Sequence, residues 1–230
     1  MTLFPASPSP DASAWPRAEL IPRLALHVLT DRTWARGRDM LSVAGAALAG
    51  GATVIQLRDK TASTRQLVEE GLALRRLTRE HGALLIVNDR IDVALAVDAD
   101  GVHLGQDDDM PLQFARQLLG AERILGISAG NQTEAVAALA VHPDYISVGS
   151  IYTTRAKSDA GAPIGTRLLT ELTNSSSIPL VAIGGITASN AGEVIQAGAN
   201  GVAVITAVVG AEDITAATRE MLAALQLRSL

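Results

Sequence analysis

Gln56, Arg58 and Lys60 directly follow the short apolar run of residues 52–55, at alternate positions. Because side chains alternate between the two faces of a strand, these three are predicted to share one face at its C-terminal end. Two neighbouring cations on one face require an anion, and a phosphate or pyrophosphate group would satisfy them. An amphipathic strand end with a solvated polar face is the alternative interpretation.

A glycine pair and a threonine indicate a second anion site later in the chain. Gly184 and Gly185 end one apolar run, and Thr206 ends the last one. Glycine lets the backbone approach an anion closely, and exposed N–H groups at such turns donate to phosphate oxygens. These residues therefore predict a phosphate site, although a tight strand-to-helix turn would place glycines in the same way.

Two aspartates are the candidates for a metal site. Asp89 and Asp108 each lie just after an apolar run. Two carboxylates, together with phosphate oxygens and water, are a common way of holding Mg²⁺. Asp107 competes with Asp108 for the ligand role. The alternative roles are a helix N-cap at Asp89 and a loop or capping function at Asp108.

Other polar residues occupy comparable positions. Ser128 ends the fifth apolar run, and a polar loop of residues 152–159 follows the sixth. His27 and His103 lie within apolar runs and are predicted to be hydrogen-bonded core histidines rather than acid–base groups. The sequence has no clear Ser–His–Asp arrangement for nucleophilic catalysis.

The candidate site residues above all lie at or just after the ends of short apolar runs, and these runs alternate with longer amphipathic segments along the chain. The runs are rich in Val, Ile and Leu, as expected for parallel strands that helices cover. Eight such runs predict a single (β/α)8 TIM barrel of class α/β, whose active site lies at the C-terminal strand ends. The predicted strands are residues 24–30, 53–58, 84–88, 101–104, 124–128, 145–148, 180–183 and 202–205.

Helical periodicity and a recurring junction support the barrel. Residues 49–54, 99–102 and 199–202 each read as a helix end, a turn and a strand, with Gly, Asn or Asp for the left-handed turn. An open doubly wound sheet would give the same recurrence, so the number of strands favours the barrel. One predicted buried helix face consists of Leu67, Gly71, Leu74 and Thr78.

Composition limits the classes of function. The chain has 230 residues, 48% of them hydrophobic and only 3% aromatic, which suits one domain with an aliphatic core. Its net charge is −5 and it has no basic run, so nucleic-acid binding is not expected. The absence of cysteine excludes disulfides, thiolate metal ligands and thiol nucleophiles.

Residues 1–20 are rich in Pro, Ser and Ala and are predicted to be a flexible leader, with the barrel domain at residues 21–230. The leader lacks a basic start followed by an apolar stretch, so it does not resemble a secretory signal. No apolar run approaches the roughly 18 residues of a membrane span. We expect a cytoplasmic protein without a membrane partner, and a homo-oligomer is compatible with the sequence.

Six motifs in this order resemble the thiamine phosphate synthase family: Q-L-R-D-K, V-N-D-R, G-V-H-L-G-Q-D-D, L-G-I-S, V-G-S-I-Y-T-T-R-A-K and A-I-G-G-I. Each motif is weak alone, but together they are specific, and the likeness covers residues 24–210. The resemblance implies a transferase of thiamine biosynthesis. Its substrates would be 4-amino-2-methyl-5-hydroxymethylpyrimidine diphosphate and 4-methyl-5-(2-hydroxyethyl)thiazole phosphate, and its products thiamine phosphate and pyrophosphate.

The resemblance also implies a mechanism and roles for residues. Pyrophosphate would leave from a methylene group to give a carbocation-like species, which the thiazole nitrogen attacks, so no protein nucleophile is needed. One Mg²⁺ per active site is expected on Asp89 and Asp108. The expected catalytic residues are Arg58, Lys60, Ser128 and Lys157. The expected substrate-binding residues are Gln56, Leu57, Arg58, Asp59, Lys60, Asn88, Ser128, Thr154, Arg155, Ala156, Lys157, Gly185, Ile205 and Thr206.

The sixth loop departs from the family pattern. That loop usually reads Pro-Thr-x-Thr-Lys, where this chain has Thr-Thr-Arg-Ala-Lys at residues 153–157. Ala156 has no hydroxyl for the thiazole phosphate, so its backbone N–H and the neighbouring Arg155 are the remaining donors. The departure concerns thiazole affinity more than the pyrophosphate chemistry.

Three other functions would account for part of the sequence. A thiazole tautomerase shares the fold and the phosphate loop, but that family usually has a histidine just after the fifth strand's serine, where this chain has Ala129. A sugar-phosphate isomerase or epimerase would explain the glycine pair but not Arg58, Lys60 and the aspartates together. A non-catalytic phosphate-binding barrel is permitted by Ala156.

Overall fold

The computed structural model describes residues 15–106, 111–156 and 162–226. Within these ranges eight parallel strands form a closed barrel in chain order, with β8 pairing with β1. The prediction of a (β/α)8 TIM barrel is therefore confirmed. The strands are β1 Leu26–Leu29, β2 Val54–Leu57, β3 Leu84–Asn88, β4 Gly101–Leu104, β5 Ile124–Ala129, β6 Tyr145–Val148, β7 Leu180–Ile183 and β8 Gly201–Val204.

Helices cover the outside of the barrel. No helix within the described ranges is both long and apolar enough to cross a membrane. The strands β3, β4, β6 and β7 have the predicted bounds, and the other four differ by one or two residues at their ends. The helices are α1 Arg17–Arg23, α2 Met40–Ala49, α3 Thr64–Glu80, α4 Ile91–Ala96, α5 Leu112–Leu119, α6 Gln132–Ala140, α7 Arg167–Ser175, α8 Ala191–Gln196, α9 Thr206–Val209 and α10 Ile214–Gln226.

Helix α1 lies at the N-terminal end of the barrel. Its Leu20 and the following Leu24 are 1% and 0% exposed and belong to the same apolar cluster as inward-facing Val54 and Leu84. This packing begins within the segment that was predicted as a leader, because α1 starts at Arg17. Residues 1–14 lie outside the described ranges.

Helix α3 shows how the outer layer packs. Its buried residues are the four that were predicted, Leu67, Gly71, Leu74 and Thr78. A Cβ atom on Gly71 would lie 2.8 Å from a methyl carbon of Val97, so a side chain there would separate α3 from the end of α4. The helical glycine is therefore explained by close packing.

Tyr145 lies in the interior of the barrel, in an apolar cluster and next to the rings of His27 and His103. A Cβ atom on Gly126 would lie 2.1 Å from the Tyr145 ring, so that glycine leaves room for it.

The His27 ring meets the Tyr145 ring edge-on at 5.3 Å between centroids. Burial lowers the pKa of His27 to about 3, so it is neutral. His27 is 1% exposed, so its predicted place in the core is confirmed, but its Nε2 atom has no hydrogen-bond partner within the described ranges, unlike the prediction.

Four reciprocal hydrogen-bond pairs join strands at the N-terminal rim of the barrel. In each, the residue just before an even strand donates its backbone N–H to a carbonyl near the start of the preceding odd strand. That odd-strand residue donates its own N–H to the side chain of the same partner. This rim contact therefore recurs with a period of two strands. The pairs are Thr53 with Leu26, Asp100 with Leu85, Asp144 with Leu125, and Asn200 with Leu180.

The Asp144 pair is expected to contribute most to stability. Its carboxylate also accepts a hydrogen bond from Arg116 at 2.7 Å, and the two side chains are 1% and 15% exposed. Asp144→Ala would leave the buried Leu125 N–H, and a largely buried guanidinium that otherwise donates to the Gly120 and Arg123 carbonyls, without this acceptor. We expect the free energy of unfolding to fall by about 3–5 kcal/mol, measured by urea denaturation.

Asp98 provides the matched control for this measurement. Its carboxylate also contacts two arginines, Arg79 and Arg123, but its side chain is 66% exposed. Asp98 has a φ of 53°, a left-handed conformation that asparagine tolerates, so Asp98→Asn should cost about 1 kcal/mol or less. Equal losses for the two variants would contradict the role given to burial.

Candidate active site

A cavity of about 560 Å³ opens at the C-terminal ends of the strands. It brings together most of the residues predicted from the sequence, which come from six of the eight strand ends. The predicted residues that line it are Lys60, Asn88, Asp89, Ser128, Thr154, Ala156, Gly185, Ile205 and Thr206. Asp108 and Lys157 lie outside the described residues, so their places remain predictions.

The structure separates Gln56, Arg58 and Lys60 instead of placing them on one face. Strand β2 ends at Leu57, so side-chain alternation does not extend to the last two. Gln56 is 3% exposed, and its Oε1 atom has no partner within the described ranges. The Arg58 guanidinium donates to Asp31 at 2.7 Å, and both side chains are about 10% exposed. Of the three, Lys60 lines the cavity.

Asp59 shapes the turn that carries Lys60. Its carboxylate accepts hydrogen bonds from the backbone N–H groups of Thr61 at 2.8 Å and Ala62 at 2.9 Å, and from Arg32 at 2.5 Å. Although partial burial acts to raise the pKa of Asp59, these hydrogen bonds lower it below the ordinary value. Asp59 is therefore ionised and engaged with its own turn, and it does not line the cavity.

Lys60 and Asp89 form an ion pair at the mouth of the cavity. The Lys60 ammonium lies 2.5 Å from Asp89 Oδ2, and the side chains are 53% and 22% exposed. Asp89 has a φ of 64°, a left-handed conformation that is uncommon for residues other than glycine. Its N–H donates to the His103 carbonyl at 2.8 Å, which holds it there. Strained backbone of this kind occurs often at functional sites.

Ser128 is connected to the barrel interior through His103. The Ser128 hydroxyl lies 2.9 Å from His103 Nε2, and His103 Nδ1 lies 3.0 Å from the Tyr145 hydroxyl. The prediction of a hydrogen-bonded core His103 is confirmed, but the same side chain also lines the cavity. Strand parity could have revealed this position, because His103 pairs with Asn88 and faces the same way.

The glycine pair after β7 is a close-approach turn. Gly184 and Gly185 have φ values of 96° and 66°. A Cβ atom on Gly185 would lie 2.6 Å from the Thr153 carbonyl oxygen, so the sixth loop packs directly on this turn. Within the described ranges the N–H of Gly185 donates to no protein acceptor. The turn therefore has a backbone donor at the cavity and no side chain to obstruct it.

The sixth loop uses one of its expected donors internally. From the sequence, the Ala156 N–H was a predicted donor to the thiazole phosphate. In the structure it donates to the Thr154 hydroxyl at 3.1 Å. Arg155 is exposed and does not line the cavity. At the start of the loop the Tyr152 hydroxyl donates to Glu193 at 2.7 Å, and desolvation together with this carboxylate raises the pKa of Tyr152 to about 12.

Comparison with known proteins gives consistent matches across the barrel. The sequence pattern of the family described as thiamine monophosphate synthase matches residues 26–208. The thiamine-phosphate synthase of Chloroflexus aurantiacus is 56% identical over 85% of this chain and 90% of its own. That of Moorella thermoacetica is 52% identical over 87% and 95%. The solved thiamine phosphate pyrophosphorylase from Pyrococcus furiosus has a TM-score of 0.82 and 44% identity, covering 90% of this chain and 98% of that one.

Proposed function

Because the chain belongs to the thiamine monophosphate synthase family, we propose that its cavity joins the pyrimidine diphosphate to the thiazole phosphate named above. The products are thiamine phosphate and pyrophosphate. The observation that carries the proposal is the composition of the cavity. Lys60, Asp89 and Ser128 line it from β2, β3 and β5, while Gly185 and Thr206 line it from β7 and β8.

Lys60, Asp89 and Ser128, on the β2, β3 and β5 side of the cavity, suit a departing pyrophosphate. When the bond between the methylene carbon and the diphosphate oxygen breaks, its electron pair stays with the oxygen, and negative charge grows there. Lys60 supplies a cation and Ser128 supplies a hydroxyl beside the cavity. Donors that are in place before charge develops stabilise the transition state more than the substrate. The thiazole nitrogen then forms the new bond to the methylene carbon, so no protein nucleophile takes part.

The described part of the site is compatible with Mg²⁺. No group of three or more potential ligands among His, Cys, Asp and Glu occurs in the described ranges. Mg²⁺ is commonly held by one or two carboxylates with substrate phosphates and water, so Asp89 at the cavity fits that pattern. Glu134 also lines the cavity, but its carboxylate accepts hydrogen bonds from Gly130 and Asn131. When bound, the ion would neutralise charge on the pyrophosphate. Asp108 is the proposed second ligand.

Gly185 and Thr206, on the β7 and β8 side of the cavity, suit the smaller thiazole phosphate. Within the part of the chain that the structure describes, the N–H of Gly185 donates to no protein acceptor, and both Gly185 and Thr206 line the cavity. Phosphate sites of TIM barrels are frequently formed by the loops after the seventh and eighth strands, which is where these residues are. The Ala156 N–H is a weaker candidate than the sequence indicated because Thr154 already accepts its hydrogen bond.

A turnover assay tests the proposed function. The purified full-length chain is incubated with each substrate alone and with both, with Mg²⁺ and with excess chelator. We expect pyrophosphate release only when both substrates and the metal are present, with thiamine phosphate formed in equal amount. Binding of both substrates without turnover would instead support a non-catalytic barrel. Pyrophosphate release from the pyrimidine diphosphate alone would indicate a hydrolase.

A further inference from the structure

A buried chain of hydrogen bonds runs from the centre of the barrel to the cavity. The Tyr145 hydroxyl lies 3.0 Å from His103 Nδ1, and His103 Nε2 lies 2.9 Å from the Ser128 hydroxyl. The rings of Tyr145 and His103 are stacked, with 5.5 Å between centroids and 21° between planes. Both imidazole nitrogens are therefore engaged, and the ring is held between two hydroxyl groups.

The donor and acceptor roles along these hydrogen bonds follow from the buried Tyr145 end. Tyr145 is 1% exposed, and in the described ranges its hydroxyl bonds to His103 Nδ1 and to no other group. Burial raises the pKa of Tyr145 above its ordinary range, so the hydroxyl keeps its proton. A buried O–H that donates to nothing is costly, so the proton must point to Nδ1.

The tautomer of His103 is then determined. A neutral imidazole has one N–H donor and one acceptor nitrogen. With Nδ1 accepting from Tyr145, the proton is on Nε2, which donates to the Ser128 oxygen. The hydrogen of the Ser128 hydroxyl is left free to turn toward the cavity. In the opposite tautomer Ser128 would donate to His103 and turn a lone pair toward any anion.

We propose that Tyr145 and His103 are positioning residues that fix the Ser128 hydroxyl as a hydrogen-bond donor to the diphosphate of the pyrimidine substrate. This inference rests on the proposed function, in which Ser128 contacts that diphosphate. It assigns a role to the Tyr145 hydroxyl, which itself lies inside the barrel. The space left by Gly126 is part of the arrangement, because a side chain there would displace the Tyr145 ring.

The tautomer can be measured directly without any variant. The chain has four histidines, so nitrogen-15 NMR of labelled imidazoles gives a simple spectrum, and His103→Gln assigns the signal of interest. We expect His103 to carry its proton on Nε2 in the wild-type protein. A proton on Nδ1 would overturn the proposal, whatever the turnover assay shows.

The two tyrosines of the chain give a matched pair of variants. Tyr145→Phe removes the donor to Nδ1, so the nitrogen-15 signal of His103 Nδ1 should shift to that of an acceptor nitrogen without a hydrogen bond. Tyr152→Phe removes the hydroxyl that contacts Glu193 and should leave the His103 signal unchanged. A His103 signal that is the same in Tyr145→Phe as in the wild type would overturn the proposal.

Binding of inorganic pyrophosphate separates this inference from the proposed function. Ser128→Ala should weaken pyrophosphate inhibition by about tenfold, the usual effect of one lost hydrogen bond to a charged group. Tyr145→Phe should weaken it by less, because His103 Nε2 can still donate to Ser128. The Michaelis constant for the thiazole phosphate should stay unchanged. Wild-type pyrophosphate affinity in Ser128→Ala would overturn the inference, even if the protein turns over both substrates.

Discussion

Lys60→Ala is expected to lower the turnover number by roughly 10²–10³, the loss that follows removal of one pre-placed donor to developing charge. The Lys60 side chain is 53% exposed and contacts Asp89 at the cavity mouth, so the barrel does not depend on it for packing. The free energy of unfolding should therefore change little. Turnover at saturating substrate and urea denaturation measure the two quantities on the same preparation.

Two further variants make this result specific. Arg65→Ala removes a cation from the exposed face of α3, outside the cavity, and should leave turnover near the wild-type value. Lys157→Ala is expected to behave like Lys60→Ala, since both cations are assigned to the departing pyrophosphate. Turnover near the wild-type value in both lysine variants would refute that assignment.

Asp89→Asn should have an effect of comparable size through the metal. Loss of an outer-shell partner alone reduces metal affinity by roughly 10–100-fold, so loss of a ligating carboxylate should weaken Mg²⁺ binding by about 100-fold or more. Asparagine tolerates the left-handed backbone of this position, so the fold should be retained. Turnover is measured against Mg²⁺ concentration, and calorimetry measures Mg²⁺ binding in the presence of pyrophosphate.

Asp92→Asn is the matched control for the metal prediction. Asp92 lies three residues further along the chain, is 61% exposed and pairs with Arg90 outside the cavity. Its replacement should leave the Mg²⁺ dependence unchanged. If Asp89→Asn keeps the wild-type Mg²⁺ dependence as well, Asp89 is not a ligand, and its role is limited to the pair with Lys60.

The barrel could be predicted from the sequence because its strands are short, apolar and separated by strong turns. All eight were found, and the buried face of α3 was assigned residue by residue. These features depend on local sequence pattern and burial, which one sequence contains. The point where the barrel domain begins was harder to predict, because Leu20 is buried by contacts with strands that are distant in the sequence.

The cavity was predicted as a set of strand ends, but its individual contacts were not. Arg58 was expected at the anion site and lies against Asp31 instead, since the strand ends before it. The Lys60–Asp89 pair depends on how two neighbouring turns approach each other. The link from Tyr145 to Ser128 crosses the barrel interior. Such contacts are set by three-dimensional packing, which residue spacing does not encode.

The reciprocal hydrogen-bond pairs at the N-terminal rim have a consequence for how such a chain can change. Each pair joins an odd strand to the even strand that follows it, as Asp100 does for β3 and β4. In a circularly permuted chain that began at β3, β5 or β7, all four pairs would still join strands that are consecutive in the sequence. Strand register is thus secured at one end of the barrel by two-strand modules, and the loops at the opposite end are free to diverge in length and chemistry.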